Sequence, residues 1–147
     1  MSTVKAFLIE PMAETIRPVM IDPENRHAVM SDLLDCLMTD FVRLESGHVI
    51  FADFNGLKES LPCLTEIVGG PAPLAGNLLF ARMDEKGELV DVTEEIESVA
   101  RRFTIVRPYL HSVIETVGIA DREEVYITSI EIQLGRSIPE AAEVAEG

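Results

Sequence analysis

The chain has 147 residues, 26 of them acidic against 12 basic, for a formal net charge of −14. A surface with that balance repels phosphate polymers and anionic membranes and attracts basic partners, which argues against direct nucleic-acid binding and membrane docking. Because 47% of the residues are hydrophobic, the chain can bury a core without disulfides or metal, and it is not a disordered acidic tail.

Val4 to Glu10 is a mostly apolar strand stopped by Pro11. Thr15 to Ile21 is its partner, at an edge or a bulge because Pro18 cannot donate to a ladder. Asp22 caps a helix with Pro23 in its first turn; Met30, Leu33, Leu34, Leu37 and Met38 form its buried stripe and set its end near Met38. Two hairpins follow. Phe41–Leu44 and His48–Ala52 flank a turn at Gly47, and Asn77–Met83 and Glu88–Val92 flank a turn at Gly87. Between them, residues 53–76 are rich in Gly and Pro and read as a long ordered loop with an extended piece at Leu64–Val68. Thr93 caps a second helix with Ile96, Val99, Ala100 and Phe103 inward and Arg101 and Arg102 at its end.

Thr104–Val106 is a short strand, and Pro108 opens a third helix with Leu110, Val113, Ile114 and Val117 inward and Gly118 closing it. Val125–Leu134 is a strand whose Ile130, Ile132 and Leu134 alternate with Ser129, Glu131 and Gln133. These elements predict an α+β fold: an antiparallel, hairpin-built sheet packed by two or three helices, in one compact domain with a C-terminal extension. Residues 1–103 are the expected core, 104–136 a helix–strand extension packed on it, and 137–147 a flexible acidic tail.

Catalytic and metal signatures are weak. His27, His48 and His111 stand at no ligand spacing and read as surface or helix histidines. Cys36 and Cys63 match no paired-ligand pattern and read as small hydrophobes in a reducing cytoplasm. No Gly-x-Ser-x-Gly elbow occurs. The glycines at 69, 70 and 76 lack the lysine of a phosphate-cradling loop, and tight strand crossing is the simpler reading. No cofactor, metal or catalytic residue is expected. No apolar run approaches the roughly 20 residues that span a bilayer, and the N-terminus lacks signal-peptide organisation; a cytoplasmic protein is expected.

Three candidate surfaces remain. Asp84, Glu85, Glu88, Asp91, Glu94, Glu95 and Glu97 form an acidic arc suited to a basic partner protein or complex, or simply to solvation. Phe51, Asp53, Phe54, Leu57 and Leu61 could line the pocket of a small-molecule-binding protein or minor enzyme under the 53–76 loop, with Asp53 either a perturbed carboxylate or a turn anchor. The strand Val125–Leu134 could pair at an edge or across a homodimer.

The residues Lys5-Ala-Phe-Leu-Ile-Glu-Pro11, Asn55-Gly56-Leu57 leading to Leu61-Pro62, Ile67-Val68-Gly69-Gly70 and Gly87-Glu-Leu-Val-Asp-Val-Thr-Glu-Glu95 carry a resemblance. Over about its first two thirds, ending near Phe103, the chain resembles a family of domains of unknown function encoded mainly by bacteriophages, plasmids and other mobile elements. Cys63-Leu64 departs from the more polar residues expected after the proline, and everything from Thr104 is extra. The resemblance implies a setting in a bacterial host and carries over no catalytic residue. Joined to the acidic arc, it gives the leading expectation: a non-enzymatic binding protein that occupies a basic surface of a host defence or nucleic-acid-processing complex.

Overall fold

The structure is a computed structural model that describes residues 3–36, 39–53, 63–119 and 121–142. Among them the elements run β1 (Val4–Glu10), β2 (Thr15–Ile21), α1 (Arg26–Leu34), β3 (Thr39–Arg43), β4 (His48–Asp53), β5 (Leu64–Ile67), β6 (Leu74–Ala75) and β7 (Leu78–Met83). They continue with β8 (Leu89–Val90), α2 (Ile96–Ala100), β9 (Phe103–Ile119), β10 (Arg122–Ser137) and β11 (Glu140–Ala141). Strand accounts for 57% and helix for 16%, with one substantial helix. The expected α+β fold with two or three packing helices is therefore replaced by a mostly β architecture of two sheets.

The main sheet has the order β11-β2-β1-β7-β4-β3, with β8 added beside β7. Its central strands are covered on both faces. Ala6, Leu8, Val49, Phe51, Leu79 and Ala81 point toward α1, meeting Met30 and Leu34. Phe7, Ile9, Ile50, Leu78 and Phe80 point the other way, meeting Val99 and Ala100 of α2 and Ile67 and Phe103 of the second sheet. Burial on both faces explains why β1 reads as an unbroken apolar run instead of an alternating one. The second sheet, β10-β9-β5-β6, meets this core through Ile67, Leu74 and Phe103.

The first strand pair and both hairpins form, although β8 keeps only Leu89–Val90 of the expected Glu88–Val92 strand. Gly47 and Gly87 take φ of +79° and +80°, the left-handed backbone that glycine adopts without strain. Pro18 faces Phe7 across the ladder, while β11 covers the outer edge of β2 only at Thr15 and Ile16, so the ring sits beside an open edge.

Three expectations are corrected. The first helix stops at Leu34 because Asp35 turns left-handed and the Cys36 N–H donates to the Ser31 carbonyl, a closure that Asp tolerates better than most residues. Leu37 and Met38 lie outside the described residues. The second helix is five residues long, starting after Glu95 rather than Thr93; Phe103 is buried from β9, where it pairs with Ile67. The third helix does not exist. Pro108 through Val117 belong to one seventeen-residue strand. The spacing of Leu110, Val113, Ile114 and Val117 fits a helix, but Val113, Ile114, Thr116 and Val117 are β-branched, and pairing with β10 decides the outcome. Pro108 sits beyond the last β5 partner, Val106, where a missing N–H costs little.

Within the expected tail, residues 137–142 are tied down. The Ser137 hydroxyl donates to Glu14 Oε1 at 2.9 Å. The Glu140 and Ala142 N–H groups donate to the carbonyls of Glu14 and Ile16, which adds β11 parallel to β2.

Candidate functional site

The dominant surface feature is the hairpin of β9 and β10. Beyond Val106 it leaves β5 behind and continues as a two-stranded arm. A hairpin alone in water is marginal; a third strand or a covering layer is normally needed. Facing residues of an antiparallel pair share a side, so the register sorts the arm into two faces. On one face Pro108 meets Leu134, Leu110 meets Ile132, Ser112 meets Ile130, Ile114 meets Ile127 and Thr116 meets Val125. On the other are Arg107, Tyr109, His111, Glu115, Ser129, Glu131, Gln133, Tyr126 and Glu124 with two valines. One side is thus almost wholly apolar and the other mostly polar. Leu110, Ile114, Val125, Ile127, Ile130, Ile132 and Leu134 on the apolar side are 56–72% exposed.

A bulge creates this segregation. Ile130, Ile132 and Leu134 occupy even positions and Val125 and Ile127 odd ones, so a regular strand would split them between faces. The register shifts between Ile127 and Ser129, leaving Thr128 as the extra residue, its hydroxyl donating to the Val113 carbonyl at 3.2 Å. That one insertion reverses the parity and puts all five on one side. At the root the same face carries Arg136, paired with Glu66; at the tip it carries Glu123 beside Gly118.

The arm is anchored by Arg107, whose Nη2 donates to the carbonyls of Pro11 (3.2 Å) and Met12 (2.8 Å). The same region holds Cys63, whose Sγ lies 3.8 Å from Met12 Sδ. Burial pushes the Cys63 thiol up from its ordinary value, against a smaller opposing pull from Arg107.

The acidic residues serve different ends. Asp84 Oδ1 accepts from the Lys86 and Glu88 N–H groups and so holds the β7–β8 turn. Asp91 accepts from the Lys5 N–H at 2.7 Å. Glu94 Oε2 accepts from His48 Nε2 at 2.8 Å. Glu85, Glu88, Glu95 and Glu97 are exposed, and among the described residues they make no ion pair. Asp84, Glu85 and His48 line one open groove of about 280 Å³. Glu88 lines another, of about 460 Å³, with Asp22 and Glu24. Glu95 immediately precedes α2 and Glu97 lies in its first turn; α2 packs toward β2 and β11.

The surface position expected for His48 is corrected, because the ring lies buried against the core. It is 5% exposed and stacks on Phe80 at 5.0 Å, while Nδ1 donates to the Glu45 carbonyl at 3.1 Å. Both ring nitrogens therefore face oxygen atoms. It joins β4 to the segment leading into α2. Local sequence gave no sign of this, because Glu94 is 46 residues away.

Of the residues named for a small-molecule pocket, Phe51 is 2% exposed in the core, its ring 5.7 Å from that of Phe41. Asp53 ends β4 opposite Thr39. Phe54, Leu57 and Leu61 lie outside the described residues. Among the described residues no helix is long and apolar enough to cross a membrane.

Comparison with known proteins identifies similarity in the body of the chain. A family described as a domain of unknown function, DUF3846, matches residues 4–104. An uncharacterised protein of Sinorhizobium fredii, y4iR, is 28% identical over 111 residues, covering 76% of this chain and 69% of the relative. No solved structure matches.

Proposed function

The chain belongs to the DUF3846 family of domains of unknown function, and on that premise we propose that it is a non-enzymatic protein-binding module that works through its arm. The observation that carries this reading is the apolar face from Pro108 to Leu134, which lies beyond the matched residues 4–104. Its seven large side chains expose on the order of 800 Å², more than the 300–600 Å² of the largest apolar patch on a typical monomer. A face of that size, on a ribbon too thin to be stable alone, supports docking against another protein. Amide exchange along residues 109–134 tests it. Exchange should be fast in dilute protein and slow on association; protection that persists at every dilution without a partner would refute the reading.

A second reading rests on the exposed carboxylates Glu85, Glu88, Glu95 and Glu97, which make no ion pair among the described residues. Here the body engages a basic partner, in the mobile-element setting implied by the resemblance, by occupying a basic surface of a bacterial host complex. Such binding is electrostatic and weakens steeply as salt shortens the Debye length from about 10 Å at 0.1 M to about 3 Å at 1 M. Capture of a basic host protein that is indifferent to salt would sink it.

A further inference from the structure

Resting on the arm-docking reading, we infer that the partner of the arm is a second copy of this chain, packed apolar face to apolar face with the tip of each arm over the root of the other.

The area fits. About 800 Å² from each copy is the size of a standard stable interface, roughly 1,600 Å² in total. The shape fits as well, because a two-fold contact must bring a patch against itself. From root to tip the face has seven rows of paired residues: Val106/Arg136, Pro108/Leu134, Leu110/Ile132, Ser112/Ile130, Ile114/Ile127, Thr116/Val125 and Gly118/Glu123. A two-fold axis through the Ser112/Ile130 row superposes the first row on the last and leaves β10 over the partner's β10. Leu134 then meets the partner's Val125, Ile132 meets the partner's Ile127, and Ile130 meets its own copy. Two stacked ribbons make a four-stranded sandwich with the usual layer spacing of about 10 Å.

Charge selects this orientation over the alternative. The tip-over-root arrangement sets Glu123 against the partner's Arg136, the only two charged residues in the seven rows, and Arg136 is 54% exposed beside Glu66. It also places two bodies of a chain carrying −14 at opposite ends. Twelve residues at about 3.3 Å each separate the outer rows by roughly 40 Å, several times the Debye length of about 8 Å at physiological salt. Packing with tips together would bring the bodies side by side and leave Glu123 facing Gly118. The Thr128 bulge supplies the remaining argument: without it the β10 half of the sandwich would be split between two faces.

Sedimentation equilibrium of the full chain, from nanomolar to 100 µM, tests the proposal. The wild-type chain should be a dimer at micromolar concentration. Ile130→Lys together with Ile132→Lys should weaken it at least about 100-fold, by placing charges in an apolar contact. Glu131→Lys on the opposite face should leave it intact. Glu123→Arg should weaken it by about tenfold, and adding Arg136→Glu should restore it. Circular dichroism on each variant verifies folding of the body. A chain monomeric at all concentrations with fast-exchanging arm amides overturns the self-association while leaving arm docking in place. A dimer lost with Ile130→Lys and Ile132→Lys but untouched by the charge exchange overturns the tip-over-root geometry. A dimer indifferent to the apolar-face substitutions overturns both this inference and the reading beneath it.

Discussion

Replacing His48 separates packing from hydrogen bonding at the junction between β4 and α2. The ring is 5% exposed and stacked on Phe80, with ring planes 22° apart. Its stack contributes about 1 kcal/mol beyond simple burial. The bond to the Glu45 carbonyl contributes about another 1 kcal/mol. The bond to Glu94 would reach about 1.5–3 kcal/mol if both groups were buried. The Glu94 side chain is 37% exposed, so solvent screening reduces that to about 1 kcal/mol. His48→Ala should therefore cost at least about 3 kcal/mol, since ring burial is lost as well, and His48→Phe, which keeps a stacked ring, about 2 kcal/mol. For a chain of this size the alanine variant should melt roughly 6–12 °C lower. Urea denaturation followed by circular dichroism measures both, and a double-mutant cycle of His48→Phe with Glu94→Ala should return a coupling of about 1 kcal/mol. Additivity within about 0.3 kcal/mol would show that the His48–Glu94 contact contributes nothing.

Three further outcomes follow from the same geometry. Gly47→Ala should destabilise by well over the roughly 1 kcal/mol of a left-handed backbone alone, because its Cβ would lie 2.9 Å from the Met83 carbonyl oxygen. Gly87→Ala, with nothing within 4 Å, should cost only about that 1 kcal/mol; equal losses in urea melts would contradict the steric argument. Burial raises the Cys63 thiol, so the unfolded chain gives up this proton at lower pH than the folded one. Its contribution to stability is full below the unfolded thiol range and is lost as pH rises through the folded value. A Cys63→Ala variant should show a flatter decline in stability above pH 8, and an unchanged slope would refute the assignment. Arg107→Met removes both bonds to the 11–12 carbonyls and should cost about 2 kcal/mol, with faster amide exchange at the arm root than at β1. Uniform acceleration across the chain would mean the anchor is not local.

The parts legible in the sequence are those in which neighbours in the chain decide the structure. The run Val4–Glu10 and the turns at Gly47 and Gly87 combine apolar segments with a residue that needs positive φ, and both hairpins form accordingly. The misreadings arise where distant pairing overrides a local pattern. Leu110, Val113, Ile114 and Val117 have helical spacing, yet their partners on β10 make them strand. Phe103 continues the periodicity of α2, yet pairing with Ile67 takes it into β9. The alternation of Ile130, Ile132 and Leu134 exposed one edge of the apolar face to inspection. Its full width is not legible in the sequence, because Leu110 and Ile114 have helical spacing and the Thr128 bulge changes which side Val125 and Ile127 occupy. The acidic arc was visible as composition, but not the division of labour that makes Asp84 a turn anchor and Glu94 a ligand of His48.

The arm is rooted on two elements at once. One strand runs out from the end of α2 alongside β5, and the other runs on into β11 along the rim of the main sheet. Load applied far out on the ribbon is therefore delivered as torque to two separate places in the body, the Arg107 clasp and the Glu14–Ile16 seam.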